Sequence, residues 1–329
     1  MLGLHEARDR ILQGAPAPRV VALPLSEAVG HVLAEALCAD RPIPACNRAL
    51  MDGYAVRAED LGPDGGQLAC VGEIRAGDDW PGEVLPGTCV AIMTGAAVPP
   101  GADAVVPVES TYTPDEGAGN GLPVGGEVVF SAGATPGMFV SPRGEDAAGG
   151  ASLLSPGAVL GASACGLLAL CGRSQVAVYA RPRVALLSTG NEIVPATATP
   201  TAVQVRDANR AIMAAMLRAH WFDVLTYLGI ARDRPYELRA AIAAGLEYDA
   251  LLLSGGVSMG TSYIVPDILA EFGVVGVVRG VAVKPGKPLW AGFAPSGCAI
   301  LAMPGNPLAV LVHTSEMAVP LLRRMSGHP

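Results

Sequence analysis

The period of apolar and polar positions changes along this 329-residue chain, and each change marks a different kind of structure. The opening segment, MLGLHEARDRIL, reads as an amphipathic helix with no basic-then-apolar leader pattern. From about Arg41 to Asp146 helical spacing is lost. Short β-like runs follow at Gly53–Val56, Leu68–Ile74, Cys89–Met93, Ala104–Val108 and Glu127–Phe130, punctuated by Gly and Pro, and they predict an inserted all-β domain. Residues 112–126 read as an exposed loop. The longest uncharged stretch, Ala147 to Gly172, is broken by Pro156 and several Gly and Ser; it is too interrupted for a membrane span and predicts a buried helix. From Arg183 onward strand and helix alternate. Strands are expected at Val184–Leu187, Val224–Ile230, Ala250–Leu253, Val274–Val283, Leu289–Phe293 and Ala299–Met303. Helices are expected after Asp207, from Pro235 through Leu246, and from Asn306–Pro307. Such alternation predicts an α/β fold built on a mainly parallel sheet flanked by helices.

Composition narrows the class. Half the residues are hydrophobic (51%) and only 16% charged, so the chain buries a large core and is not disordered. Its length suits roughly two or three domains of ~100–200 residues. The net charge of −8, with no basic run, argues against general nucleic-acid binding, because nothing offsets the cost of approaching a polyanion. The seven cysteines form no CxxC and no metal-ligand spacing, so they are expected to be buried, reduced thiols of a cytoplasmic protein.

The sharpest chemical signal is the distribution of cations. Of 22 basic residues only two are lysine, Lys284 and Lys287, both in Lys-Pro-Gly-Lys-Pro. A compact ammonium on a flexible stem differs from a planar guanidinium fork, and two of them across a Pro-Gly turn suit a phosphate or oxyanion. Other candidates fall where strands are predicted to end at their carboxyl edge, the ligand-binding edge of open α/β sheets. These are Ser188-Thr189-Gly190-Asn191-Glu192, Arg232-Asp233 and Ser254-Gly255-Gly256-Val257-Ser258. Gly255 and Gly256 admit close backbone approach, while Ser254 and Ser258 add hydroxyls. In Pro304-Gly305-Asn306-Pro307, Asn306 can cap a helix and leave its N–H groups for a phosphate. Glu192, Asp207 and Asp233 lie beside these turns, where a carboxylate serves Mg²⁺ or proton transfer; for Asp207 a helix N-cap is the alternative.

Taken in order, MDGYAV, MTGA, RGED, STGNE, RDANR, SGGVSMG, KPGKP and PGNP span nearly the whole chain. Together they resemble the molybdenum-insertion family of molybdenum-cofactor synthesis, bacterial MoeA and the gephyrin E domain. The resemblance implies a multi-domain protein. Residues 1–17 and 175–329 would form a parallel-sheet α/β pterin-binding domain, 18–39 and 149–174 a small α+β linker domain, and 40–148 the inserted β domain. It implies transfer of molybdenum from molybdate to adenylylated molybdopterin, with Mg²⁺-dependent release of AMP. Asp52, Thr94, Asp146, Glu192 and Asp233 become the active-site polar groups, with Glu192 and Asp233 toward Mg²⁺. Thr189, Gly190, Asp207, Ser254, Gly255, Gly256, Ser258, Lys284, Lys287, Pro304, Gly305, Asn306 and Pro307 become the substrate contacts. A homodimer is implied in which the β domain of one subunit closes the cleft of the other. Other cofactor-synthesis proteins or apo-molybdoenzymes are implied as partners, and neither nucleic acid nor membrane.

The departures from that pattern bear on turnover. The family's Phe-Asp-x-Ser before MDGYAV is Cys46-Asn47-Arg48-Ala49 here. The acids after SGGVSxG are replaced in Thr261-Ser262-Tyr263, and the serine of PGNPxS is Ala309. The chain stops at Pro329, where the family continues into a further β-barrel domain. These changes leave a non-catalytic molybdopterin carrier, chaperone or sensor as the second reading. A molybdopterin adenylyltransferase is the third, and the inserted MDGYAV domain argues against it.

Overall fold

The computed structural model describes residues 1–113, 124–257 and 264–328. Ser258, Thr261, Ser262, Tyr263 and most of the 112–126 loop lie outside the described residues. The chain divides into two compact units, Met1–Ala36 with Leu154–Pro329, and Leu37–Leu153.

The first unit is built on a six-stranded sheet. Its order is Leu225–Ala231, Val184–Thr189, Ala250–Ser254, Ala299–Met303, Trp290–Phe293 and Val275–Arg279. The first four strands are parallel. Every residue of the Val184–Thr189, Ala250–Ser254 and Ala299–Met303 strands is buried, as expected of a parallel sheet covered on both faces. The last two strands pair antiparallel instead, which makes the sheet mixed. The run Ala294–Cys298 joining two of them is too short for a crossover and permits only a reversal.

Helices α1 (Leu4–Gln13), α2 (Ala162–Leu170), α3 (Asn209–Ala219), α4 (Pro235–Gly245), α5 (Ile264–Glu271), α6 (Pro307–His313) and α7 (Val319–Met325) belong to this unit. One face of the sheet is covered by Ala7 and Ile11 of α1, Met213 and Leu217 of α3, Val310 of α6 and Leu321 and Leu322 of α7. Leu238 and Ile242 of α4 with Ile268 and Leu269 of α5 cover the other. The i, i+4 spacing of Ala7/Ile11, Met213/Leu217 and Leu238/Ile242 is the apolar stripe that put these helices on a sheet. A small antiparallel sheet of Val20–Pro24, Gln175–Tyr179 and Val32–Leu33 completes the unit.

The expectation of a buried helix between Ala147 and Gly172 needs correction. The segment contains a strand at Ser152–Leu154 and only the short α2, in which Leu168 alone is buried. An uncharged composition misled here, because Ala, Ser and Gly carry little apolar area and do not require burial.

The second unit holds a six-stranded sheet ordered Ala104–Pro107, Gly53–Val56, Thr88–Ile92, Gly66–Ile74, Glu127–Phe130 and Thr111–Tyr112. All pairs are antiparallel except Gly66–Ile74 with Thr88–Ile92. Alternation places Tyr54, Val56, Leu68, Val106 and Phe130 in one core and Ala55, Ile74, Val90, Ile92 and Val105 in a second. Tyr54 meets Phe130 edge to face at 5.8 Å. All seven cysteines are free thiols, but Cys38 and Cys46 are exposed rather than buried. No helix among the described residues is long and apolar enough to cross a membrane.

Candidate functional site

Three turns that leave the parallel strands at their carboxyl edge are brought together by contacts a sequence does not reveal. The Val184–Thr189 and Ala250–Ser254 strands pair in register, Ser188 opposite Ser254. Thr189 Oγ1 donates to the Ser254 carbonyl at 3.3 Å. Immediately beyond, Gly255 turns at φ +98°, and a Cβ there would lie 2.3 Å from the Thr189 carbonyl oxygen. The Gly255–Gly256 pair is therefore a requirement of close approach between two strand ends, not a plain flexible turn. Gly305 of the next turn lies against the Gly255 Cα, where a Cβ would make only an ordinary 3.9 Å contact. Asn209 Nδ2 donates to the Gly305 carbonyl at 2.9 Å and ties α3 to that turn.

Asp207 is a buried hub. Its Oδ1 accepts the Arg210 backbone N–H at 3.1 Å, the N-cap geometry, although the regular helix begins two residues on. Its Oδ2 accepts Ser188 Oγ at 2.7 Å and the Tyr227 hydroxyl at 2.8 Å. Both oxygens are thus engaged by the fold, and the cap alternative for Asp207 describes its contacts better than substrate binding does. Burial, and then the bond to Asp207, push the Tyr227 hydroxyl up to about 12. Arg210 lies over the Tyr227 ring at 4.2 Å. Tyr227 precedes a bulge, where the register shifts between Leu186 and Ser188 and Gly229 takes φ +102°. Arg210, Tyr227, Arg232 and Glu237 join Ile193–Thr197 in lining a cavity of about 490 Å³. Asp207 also lines it, and sequence reasoning had marked Asp207 and Arg232 without bringing them into one cavity. Arg210 lay inside the RDANR motif, but nothing marked Tyr227 or Glu237.

Glu192 and Asp233 come together beside this wall. The Asp233 N–H donates to Asn191 Oδ1 at 3.2 Å. Burial, and then the charge of Glu192, hold the Asp233 carboxyl above the usual carboxylate range. A carboxyl held up by burial and a neighbouring carboxylate is an environment that a bound cation would relieve. No cluster of three or more His, Cys, Asp or Glu side chains that could hold a metal occurs among the described residues.

One sequence expectation fails at α6. Asn306 does cap it, accepting the Leu308 and Ala309 N–H groups at 3.0 and 3.1 Å, and Pro307 is its first residue. The Val310 N–H bonds the Asn306 carbonyl. With Pro307 lacking a donor, the first turn has no amide left for a phosphate. The cap satisfies the helix itself. Ala309 is 1% exposed.

Lys284 and Lys287 are exposed, with the buried Gly286 between them. Their turn leaves the sheet after Val275–Arg279, a strand that runs in the same direction as the parallel four, and so at the same edge. Neither lysine forms an ion pair among the described residues. Asp249, Glu237 and Glu271, by contrast, each engage arginines.

In the second unit Asp52 Oδ1 accepts both the backbone N–H and the Oγ1 of Thr94, at 2.7 and 2.6 Å. Those bonds hold the Asp52 carboxyl below its ordinary value. The structure thus joins the MDGYAV and MTGA motifs directly. The RGED turn reaches them through the Asn47–Ala49 segment. Arg143 N–H donates to Asn47 Oδ1 at 2.9 Å, and Ala49 exchanges backbone bonds with Gly95 and Ala96. Asp146 is exposed, its N–H bonded to the Ile43 carbonyl, and its side chain makes no hydrogen bond to Asp52 or Thr94.

Carboxylates, a Gly-Gly turn and a lysine turn share one carboxyl edge of the sheet, the edge at which open α/β sheets generally bind ligands, and the fold is that of an α/β protein. Two family descriptions match the chain, "MoeA N-terminal region (domain I and II)" over residues 2–172 and "Probable molybdopterin binding domain" over residues 185–324. The chain is 33% identical to molybdopterin molybdenumtransferase 1 of Mycobacterium tuberculosis, covering 100% of this chain and 80% of that protein. It is 32% identical to the molybdopterin molybdenumtransferase of Haemophilus influenzae, covering 99% and 78%. The crystal structure of a molybdopterin biosynthesis MoeA protein from Pyrococcus horikoshii superposes with a TM-score of 0.82 at 29% identity, over 100% of this chain and 81% of that one. The chain belongs to the MoeA family.

Proposed function

We propose that this protein inserts molybdenum from molybdate into adenylylated molybdopterin with release of AMP. The observation that carries the reading is the relationship over the entire chain to proteins named molybdopterin molybdenumtransferase, at 33% identity. The site chemistry supports it. Opening the phosphoanhydride requires neutralised phosphate charge and an ordered water. Lys284 and Lys287 would meet the phosphates. Glu192 and Asp233 would hold Mg²⁺, which supplies charge neutralisation when bound. Thr189, Gly190, Ser254, Gly255, Gly256 and Ser258 would shape the pterin side of the site. By the family resemblance Asp52, Thr94 and Asp146 would act as further polar groups in the same reaction. In this reading residues 18–39 and 149–174 form a small domain of their own, and the enzyme works in the cytoplasm. It hands its product to apo-molybdoenzymes or other cofactor-synthesis proteins.

The test is reconstitution of a cofactor-free molybdoenzyme with adenylylated molybdopterin at low and high molybdate. Ala309 cannot donate the hydrogen bond that a serine there would offer, a difference of about 1.5–3 kcal/mol to a charged ligand. Insertion is therefore expected to be strongly molybdate-dependent and to improve at low molybdate in Ala309→Ser. Brisk insertion at low molybdate, unchanged by the substitution, would show that the alanine is immaterial. Tight pterin binding without insertion at any molybdate concentration would support the carrier reading, which the buried, hydroxyl-free Ala309 favours.

We also propose a homodimer. Light scattering at micromolar concentration is expected to give twice the chain mass, and a stable monomer would refute the dimer.

A further inference from the structure

His313, at the end of α6, is fully buried, and its Nε2 lies 2.6 Å from the carbonyl oxygen of Gly286. A carbonyl only accepts, so Nε2 carries the proton and donates. The fit is close on both sides. Gly286 takes φ +118°, and a Cβ there would fall 2.5 Å from His313 Nε2, so the imidazole occupies the space a side chain would need. Gly286 is the central residue of Lys284-Pro285-Gly286-Lys287-Pro288, one and two residues from the only lysines in the chain. Behind His313 the helix widens into a π segment at Thr314–Ala318. Such irregularities recur where a helix is adapted to a site. At its other end α6 begins with the Pro304–Pro307 turn that Asn209 holds through Gly305. One helix therefore carries both contacts: the PGNP turn at its start and the lysine turn at its finish.

We propose that His313 is a positioning residue for substrate binding, its Nε2–H bond to the Gly286 carbonyl setting the Lys284–Lys287 turn so that both ammonium groups meet one phosphate-bearing ligand. This inference rests on the reading of that turn as the phosphate contact. The imidazole acts through the turn and touches no substrate. A bond from a buried side chain to the middle of the turn fixes its backbone without using either lysine, leaving both charges for the ligand. The other ring nitrogen, Nδ1, is buried without a partner. Burial lowers the His313 pKa and favours the neutral ring, whose single proton the Gly286 carbonyl places on Nε2.

The experiment is anaerobic titration of the full chain with molybdopterin. It compares wild type, His313→Leu, His313→Gln, the Lys284→Ala/Lys287→Ala pair, and that pair combined with His313→Leu. Glutamine can place an amide N–H near the Nε2 position; leucine cannot donate. The expected result is roughly tenfold weaker binding in His313→Leu. Recovery is expected in His313→Gln, with no further loss when His313→Leu is added to the lysine pair. A multiplying loss in the combined variant, or leucine binding as well as wild type, overturns the positioning role while leaving the lysines' role intact. Unchanged affinity in the lysine pair overturns the underlying reading instead. A measurement on wild type covers the case of a leucine variant that does not fold. With ¹⁵N-labelled imidazoles, the His313 Nε2–H resonance is expected to be protected from exchange and to shift when molybdopterin saturates the protein. An unshifted resonance at saturation overturns the proposal.

Discussion

Gly255→Ala is expected to destabilise the first unit by about 2–5 kcal/mol, combining the strain of a positive φ with overpacking against backbone. The added Cβ would lie 2.3 Å from the Thr189 carbonyl oxygen and 2.6 Å from its Oγ1. Neither atom can move far, because Thr189 ends a fully buried strand paired on both sides. Denaturant unfolding followed by far-UV circular dichroism measures the loss. Gly305→Ala is the control: its new Cβ would meet nothing closer than 3.9 Å, and it is expected to change stability by less than about 1 kcal/mol. Equal effects of the two substitutions would mean that the strand ends can separate at little cost, and that the Gly-Gly pair is an ordinary turn.

Removing either lysine is expected to weaken binding of molybdopterin by about 1.5–3 kcal/mol, roughly 10- to 150-fold. The loss belongs to binding and not to folding, because both side chains are exposed and neither forms an ion pair among the described residues. Calorimetric titration at fixed salt, beside thermal unfolding, separates the two. Replacement by arginine is expected to recover only part of the affinity, since a rigid fork does not place its charge as an ammonium does. Wild-type affinity in both Lys284→Ala and Lys287→Ala would remove the turn from the site.

Much of the fold was legible because it rests on period. The i, i+4 apolar pairs of α1, α3 and α4 and the unbroken apolar runs at Val184–Leu187, Ala250–Leu253 and Ala299–Met303 are local patterns with one good solution. Five of the six strands in the larger sheet of the β unit were located to within two residues by their Gly and Pro punctuation, while the edge strand Thr111–Tyr112, partly read as loop, was missed. The reversal of Trp290–Phe293 was not legible, because an apolar strand reads the same in either direction. Nor was the exposure of α2, whose small apolar residues look alike on a surface and in a core.

The site divides along the same line. The sequence by itself determined which chemical groups the protein has: two lysines in one turn, paired glycines after a strand, and acids next to them. Those are properties of residue type and spacing, and they carried the resemblance to the family. Tertiary structure alone decided what each group is free to do. Asn306 consumes the amides that α6 was expected to offer a phosphate, and Asp207 spends both oxygens on Ser188, Tyr227 and its own helix. Glu192 and Asp233, 41 positions apart by their numbers, become a repelling pair. His313, which no motif singled out, reaches the turn between the lysines. Hydrogen-bond capacity is finite and is used up by whichever partner the fold brings within about 3 Å, so availability cannot be read from a sequence that records only which donors and acceptors exist.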